Sequence, residues 1–190
     1  MFIYNLETKQ QIEISDQKAN FWGQGFDKND KNYYYTTNFD GEFHYLMSYN
    51  IKTKKRDLVY KTDWDVVNSS LSKNDSYRII TVNEDAQNKI IVENIQDGFE
   101  LKFEGLEKMN INSVSFSDDE TLVRINAASS SSPGDIYVYS LVTNKLKKIT
   151  SNLNSKVNPS DLVGGEVIRY RSFDGLEVPA ILYKPHSAKT

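Results

Sequence analysis

The 190-residue chain has no cysteine. Disulfide staples, thiolate nucleophiles and cysteine-ligated zinc are therefore excluded. Proline is scarce too, at 4 residues. No stretch approaches the roughly 18 consecutive apolar residues of a membrane-crossing helix. A membrane is therefore not expected as a partner. Basic charge is not in excess: 23 Lys and Arg face 26 Asp and Glu, for a net charge of −3. A nucleic-acid partner is not expected either, because phosphate binding needs a basic footprint. The opening "MFIYNLETKQ" has neither the charged nor the apolar region of a secretory signal. The compartment stays open, with the cytoplasm slightly favoured, because this opening itself reads as internal to a repeat.

What the chain does have is aromatic and β-branched residues. Aromatics make up 12%, including 12 Tyr and 9 Phe, a load that suits sheets. They recur with a period. "NFWGQGFDKNDKNYYYT" from Asn20, "DVVNSSLSKNDSYRIIT" from Asp65 and "NINSVSFSDDETLVRIN" from Asn110 align without gaps, each starting 45 residues after the last. Phe26, Leu71 and Phe116 coincide, as do Asp30, Asp75 and Glu120. A second element occurs four times, from Phe2, Leu46, Ile90 and Ile136. In each, two β patterns flank a polar turn at Thr8-Lys9, Thr53-Lys54, Asp97-Gly98 or Thr143-Asn144, which marks a hairpin.

A repeat of about 45 residues with four short strands is the signature of a β-propeller blade. The fold expected is all-β: a partial β-propeller of about three and a half four-stranded blades, followed by a β-hairpin. The first full blade places strands near 20–26, 32–37, 43–50 and 56–61. The next two repeat that pattern over 65–104 and 110–150. Residues 1–15 read as the closing hairpin of a further blade. A generic antiparallel sandwich is the competing architecture; three gapless copies and four hairpins favour the propeller. The domain division expected is a partial propeller over 1–150, a linker over 151–164 and a distinct element over 165–190. The linker follows from the polar shift at Thr150, with Asn152, Asn154, Asn158 and Pro159. The last element holds two β patterns around Asp174-Gly175, a strong hairpin signal.

Side chains with chemistry are few. No Gly-x-Ser-x-Gly elbow is present. His44 sits in "EFHYLMSY" and reads as a side chain packed or hydrogen-bonded in a sheet. His186, in "KPHSAKT", reads as a surface tail. Neither shows a Ser and Asp partner in sequence. Ser129-Ser130-Ser131-Ser132-Pro133-Gly134 reads as a flexible loop. Trp22 and Trp64 read as packing between blades, with ligand stacking as the alternative. Gly23-Gln24-Gly25 matches only the start of a dinucleotide fingerprint, and Gly164-Gly165 lacks the helix that should follow. The acidic clusters at Asp27, Asn29 and Asp30 and at Asp118, Asp119 and Glu120 could suggest calcium. They lack the alternating ligands, central Gly and distant Glu of a calcium loop, and they recur where a turn is due. Asn68-Ser69-Ser70 and Asn74-Asp75-Ser76 fit the short glycosylation pattern. No residue is assigned as catalytic, cofactor-binding or metal-binding, and no cofactor is expected.

The stretch "NPSDLVGGEVIRYRSFDGLEVPAILYKP" resembles the crossing from propeller to α/β-hydrolase domain in the prolyl oligopeptidase family of serine peptidases, particularly its acylaminoacyl-peptidase and dipeptidyl-aminopeptidase-like members. "VIRYRSFDG" (167–175) and "VPAILYKP" (178–185) carry the likeness. Repeats of the "FSDDETLVRI" kind (116–125) are typical of that family's propellers and are shared by Tol-type propellers. The resemblance implies that the hairpin opens a hydrolase sheet, whose oxyanion loop, nucleophile elbow and triad would follow it. None of these occurs in the 190 residues. The function implied is the non-catalytic propeller portion of such a peptidase, gating peptide access to the hydrolase domain. The partners implied are that domain and, for the parent enzyme, short peptides. Open propeller edges also leave room for self-association. The alternative is a Tol-like or WD-like propeller acting as a protein-binding module.

Overall fold

The computed structural model of the chain describes residues 1–15, 18–85, 87–107, 109–130 and 132–188. These are β-strands and turns apart from a single 3-10 turn at Pro159–Asp161, capped by the Asn158 side chain. Fifteen strands form five antiparallel sheets: β1 (Phe2–Tyr4) with β2 (Gln11–Glu13); β3 (Phe21–Phe26), β4 (Asn32–Thr37), β5 (Tyr45–Asn50) and β6 (Arg56–Tyr60); β7 (Asp65–Leu71), β8 (Tyr77–Glu84) and β9 (Gln87–Asn94); β10 (Asn110–Phe116), β11 (Leu122–Ser129), β12 (Ser132–Ser140) and β13 (Lys145–Lys148); and β14 (Gly165–Arg171) with β15 (Glu177–Tyr183). Strands pair in chain order within every sheet, as in a propeller blade, and none of the described sheets closes on itself.

The 45-residue period has a backbone cause. Asp30, Asp75 and Glu120 adopt left-handed φ values of 53°, 60° and 55°. Each closes the same turn: the Asp30, Asp75 and Glu120 N–H groups donate to the carbonyls of Asp27, Ser72 and Ser117 at 3.0, 3.0 and 2.9 Å. The hairpin turns repeat a second left-handed position, at Lys9, Lys54, Gly98 and Asn144. There Asn50, Asn94 or Ser140 ends the preceding strand, or Asn5 directly follows it, and its side-chain oxygen accepts a backbone N–H two or three residues on. Within the acidic clusters, Asp27 and Asp119 are engaged by their own turns. Both oxygens of Asp27 accept from the Lys31 and Asn32 backbones, and Asp119 accepts from Ser117 and Thr121.

Among the described residues, the β7–β9 sheet of the second full repeat departs from the expected four strands. It has three, and the fourth position keeps only a bridge residue at Glu100. Phe103 and Leu106, 8% and 3% exposed, turn inward there instead, with the Leu106 N–H bonded to the Phe103 carbonyl. Burying two large side chains has taken precedence over extending the ladder. The expected loop at 129–134 is also shorter: Ser129 ends β11, and Ser132, Pro133 and Gly134 begin β12. Ser131 lies outside the described residues.

Two compact units are present, Met1–Val82 with Ile91–Phe99, and Asn83–Ile90 with Glu100–Thr190. In the first, the β3–β6 sheet is covered on both faces. One face packs Tyr35 and Tyr49 with Ile14, Ile3 and Ile12 of the N-terminal hairpin. The other packs Leu46 with Val66, Ile80 and Val82. That is why β4 buries consecutive residues, Tyr35, Thr36 and Thr37, rather than alternate ones. Gln24 joins the layers, its amide donating to Thr36 and its carbonyl accepting from the Ser69 N–H. In the second unit β11 alternates: Val123, Ile125 and Ala127 are fully buried, while Leu122 and Arg124 are exposed.

Candidate functional site

Gly23 and Gly25 serve the sheet and not a phosphate. A β-bulge shifts the β3–β4 register between them. A Cβ on Gly23 would fall 2.0 Å from the Tyr33 hydroxyl, and Gly25 has a φ of 132°. Only glycine allows both. Trp64 packs against the Leu46–Val66–Ile80–Val82 cluster. Trp22 differs from its expected place between blades: it is half exposed, and its indole stacks on the His44 imidazole at 4.4 Å and 11°.

His44 precedes β5 and is 8% exposed. Its Nδ1 lies 2.9 Å from the Asp65 carboxylate, and its backbone N–H donates to the same oxygen at 2.8 Å. The next residue, Val66, returns the bond by donating to the His44 carbonyl. Burial works to push the Asp65 carboxyl up; the His44 backbone and imidazole outweigh it and hold the group below its ordinary value. His44 thus does have an acidic partner, 21 residues away, which sequence alone did not reveal. Its Nε2 is buried and has no hydrogen-bond partner among the described residues. A histidine–carboxylate pair is two thirds of a serine triad, and no described serine is bonded to it. The pair ties the residue before β5 of one sheet to the first residue of β7 in the next. His186 lies exposed in the tail, and the Ser130 hydroxyl accepts from the Gly165 N–H.

One concavity belongs to the second unit. It holds about 450 Å³, and its lining includes Glu84, Asp85, Lys89, Leu101, Phe103 and Val167. Its charges are mostly spent on one another, Lys89 on Glu84 and Lys102 on Glu100. Glu107 accepts from the Gly105 N–H, which keeps its carboxyl below the ordinary range. A second hollow of about 250 Å³ is lined by Ser129, Ser130, Gly165, Ile181 and Tyr183, among others. Among the described residues, no three His, Cys, Asp or Glu side chains are grouped to hold a metal.

Antiparallel sheets of three or four strands paired in chain order, with a repeat built on paired left-handed turns, are the blades of a β-propeller. Residues 5–152 match the family model described as prolyl oligopeptidase, N-terminal β-propeller domain, and the chain belongs to that family. Prolyl oligopeptidase B from Galerina marginata, solved bound to a 25mer macrocyclization substrate, superposes with a TM-score of 0.72 at 15% identity over 95% of this chain and 25% of that one. Its apo form gives 0.71 at 13% identity over 99% and 28%. A structure from a study of two prolyl endopeptidases gives 0.73 at 14% identity over 99% and 28%. At such identities the likeness is one of fold. No curated protein matches the chain. The chain spans about a quarter of the length of these solved relatives, and what it covers is the N-terminal propeller portion.

Proposed function

We propose that this chain is the non-catalytic, access-controlling part of a prolyl-oligopeptidase-like serine peptidase, and that residues 165–190 begin its hydrolase domain. The observation that carries the reading is the C-terminal hairpin. β14 and β15 pair over seven residues in regular register, yet neither strand has a buried residue. Phe173 is fully exposed, Leu176 is 64% exposed and Tyr183 54%. So many apolar side chains on a well-formed hairpin suit an element whose covering layer belongs to another domain. Membership of the prolyl oligopeptidase propeller family supports a hydrolase as that domain. The propeller portion then restricts the reaction to short peptides by standing between bulk solvent and the active site, and it contributes no nucleophile.

The test compares three species on the same fractions: the 190-residue chain, a longer chain joining it to a hydrolase domain of the family, and that hydrolase domain alone. Aminoacyl and acylaminoacyl chromogenic peptides report activity, and a folded protein substrate reports exclusion. The 190 residues alone should be inactive. The joined chain should cleave peptides and spare the folded protein, and the bare hydrolase domain should lose that discrimination. Equal discrimination with and without the propeller portion would remove the gate. Activity of the 190-residue chain itself would overturn the reading entirely.

A further inference from the structure

Trp22 stands near the start of β3 with half its surface in solvent. One face of its indole is taken by the His44 imidazole, and no second ring or cation lies on it among the described residues. The ring is braced. His44 is buried and bonded twice to Asp65, and the Asn20 N–H ties the approach to β3 to the Asn38 side chain at 2.9 Å. A braced indole with an open face needs little further ordering when a cation lands on it.

The charge at this end of the sheet is one-sided. The register sets Trp22 against Thr36 and Thr37 against Tyr45, so the start of β3, the end of β4 and the start of β5 lie together. The approach to β7 joins them: the Val66 N–H bonds the His44 carbonyl, and the Phe43 and Trp64 rings lie 6.3 Å apart. The two joined segments, 38–45 and 61–66, carry Asp40, Glu42, Asp63 and Asp65 against one base, Lys61. Asp65 is spent on His44, and Lys61 lies over the Tyr45 ring at 5.2 Å. Asp40, Glu42 and Asp63 are exposed and have no ion-pair partner among the described residues. Uncompensated carboxylates about an open aromatic face attract a cation, and a planar one gains most because it can lie flat on the ring.

We propose that this end of the first unit is a docking surface for an arginine-bearing peptide segment, whose guanidinium lies on the open face of Trp22 while Asp40, Glu42 and Asp63 supply the opposing charge. His44 and Asp65 are positioning residues, acting through the indole that they brace. The surface is independent of the peptidase reading, since all of it lies within residues 20–66 and no step of peptide cleavage passes through it.

The chain has 2 Trp, so a proton–nitrogen correlation spectrum shows two indole signals, and the one lost in Trp22→Phe belongs to Trp22. The probes are the end-blocked peptide Gly-Gly-Arg-Gly-Gly and the same peptide with lysine, or with citrulline as a neutral isostere, in place of the arginine. In low salt the arginine peptide should shift the Trp22 signal saturably and leave the Trp64 signal in place. The citrulline peptide should bind at least about 3-fold more weakly, the strength of an exposed cation–aromatic contact, and the lysine peptide should fall between the two. Replacing the three carboxylates together (Asp40→Asn, Glu42→Gln and Asp63→Asn) should weaken binding of the arginine peptide and flatten its salt dependence. Absence of a saturable Trp22 shift would overturn the proposal. So would equal binding of the arginine peptide and either analogue, or an affinity unchanged in the triple variant. The peptide comparison is made on the unaltered chain and needs no variant to fold.

Discussion

β4 and β15 make an instructive pair. β4 reads Asn-Tyr-Tyr-Tyr-Thr-Thr and β15 reads Glu-Val-Pro-Ala-Ile-Leu-Tyr, so β15 is the more apolar strand. Yet Thr36 and Thr37 of β4 are 0% and 3% exposed, while Ile181 and Leu182 of β15 are 39% and 42% exposed. Burial here is set by what lies on each face of a sheet and not by the strand's own hydropathy. β4 sits in a sheet covered by a neighbour on both sides, so even threonines are sealed in. β15 belongs to a two-stranded sheet that has no buried residue among the described ones.

The sharpest way to break that contrast is to shorten one leucine in each region. Leu46→Ala, inside the fully buried cluster with Val66, Ile80 and Val82, should cost about 2–5 kcal/mol through lost transfer energy and the cavity left behind. Leu182→Ala should stay within about 0.5 kcal/mol, as exposed sites do. Urea denaturation of both variants measures the difference, and comparable losses would show the hairpin to be packed after all.

A smaller effect sharpens the contrast between a sealed charge and a surface one. Asp135 is 1% exposed and accepts from Lys148 at 2.7 Å, Thr150 at 3.0 Å and the Asn152 N–H at 2.9 Å. The Lys148 bond is the foremost cause holding its carboxyl below the usual range. A depressed folded value means that the contribution is complete above the unfolded carboxylate range, near pH 4. It is lost as pH falls through the folded value. Asp135→Asn should lower the thermal midpoint at neutral pH and narrow the gap to the parent as the pH is taken below that range. A gap independent of pH would sink the assignment.

The smallest expected change concerns the turns. Lys54 and Gly98 occupy the same hairpin position with φ values of 60° and 71°. Lys54→Gly should gain roughly 1 kcal/mol by relieving a side chain from the left-handed region, and Gly98→Lys should lose a similar amount. Thermal melts of the two variants decide it; shifts of the same sign would mean that the two turns are not equivalent.

The turns are also where the sequence was most readable. Asp30, Asp75 and Glu120 stood out because the same turn position in each repeat needs a left-handed residue, and local backbone geometry leaves a local trace. The four strands of the first full sheet lie within two residues of their expected bounds for the same reason. What escaped notice is non-local. The His44–Asp65 pair joins residues 21 apart, and the Arg169–Asp85 pair spans 84. Neither leaves a spacing signal, because each depends on how completed sheets meet. The missing fourth strand of the second repeat was hidden differently. "FELKF" (99–103) alternates as a strand should, and only the burial of Phe103 and Leu106 pulls it away. The turn-closing oxygens of Asn5, Asn50, Asn94 and Ser140 were legible in principle, since they recur at one register position.

Pairing each strand only with its neighbour in the chain has a kinetic consequence. Every ladder closes across a short turn, so contact order within a sheet is low, and such hairpins form on the microsecond scale. Docking one finished sheet on another is the slower event, since it joins residues about 45 positions apart. During synthesis, with the N-terminal part emerging first, each blade can zip up as soon as its four strands have cleared the ribosome. It then waits as a template for the next, and the order of assembly is written into the order of translation.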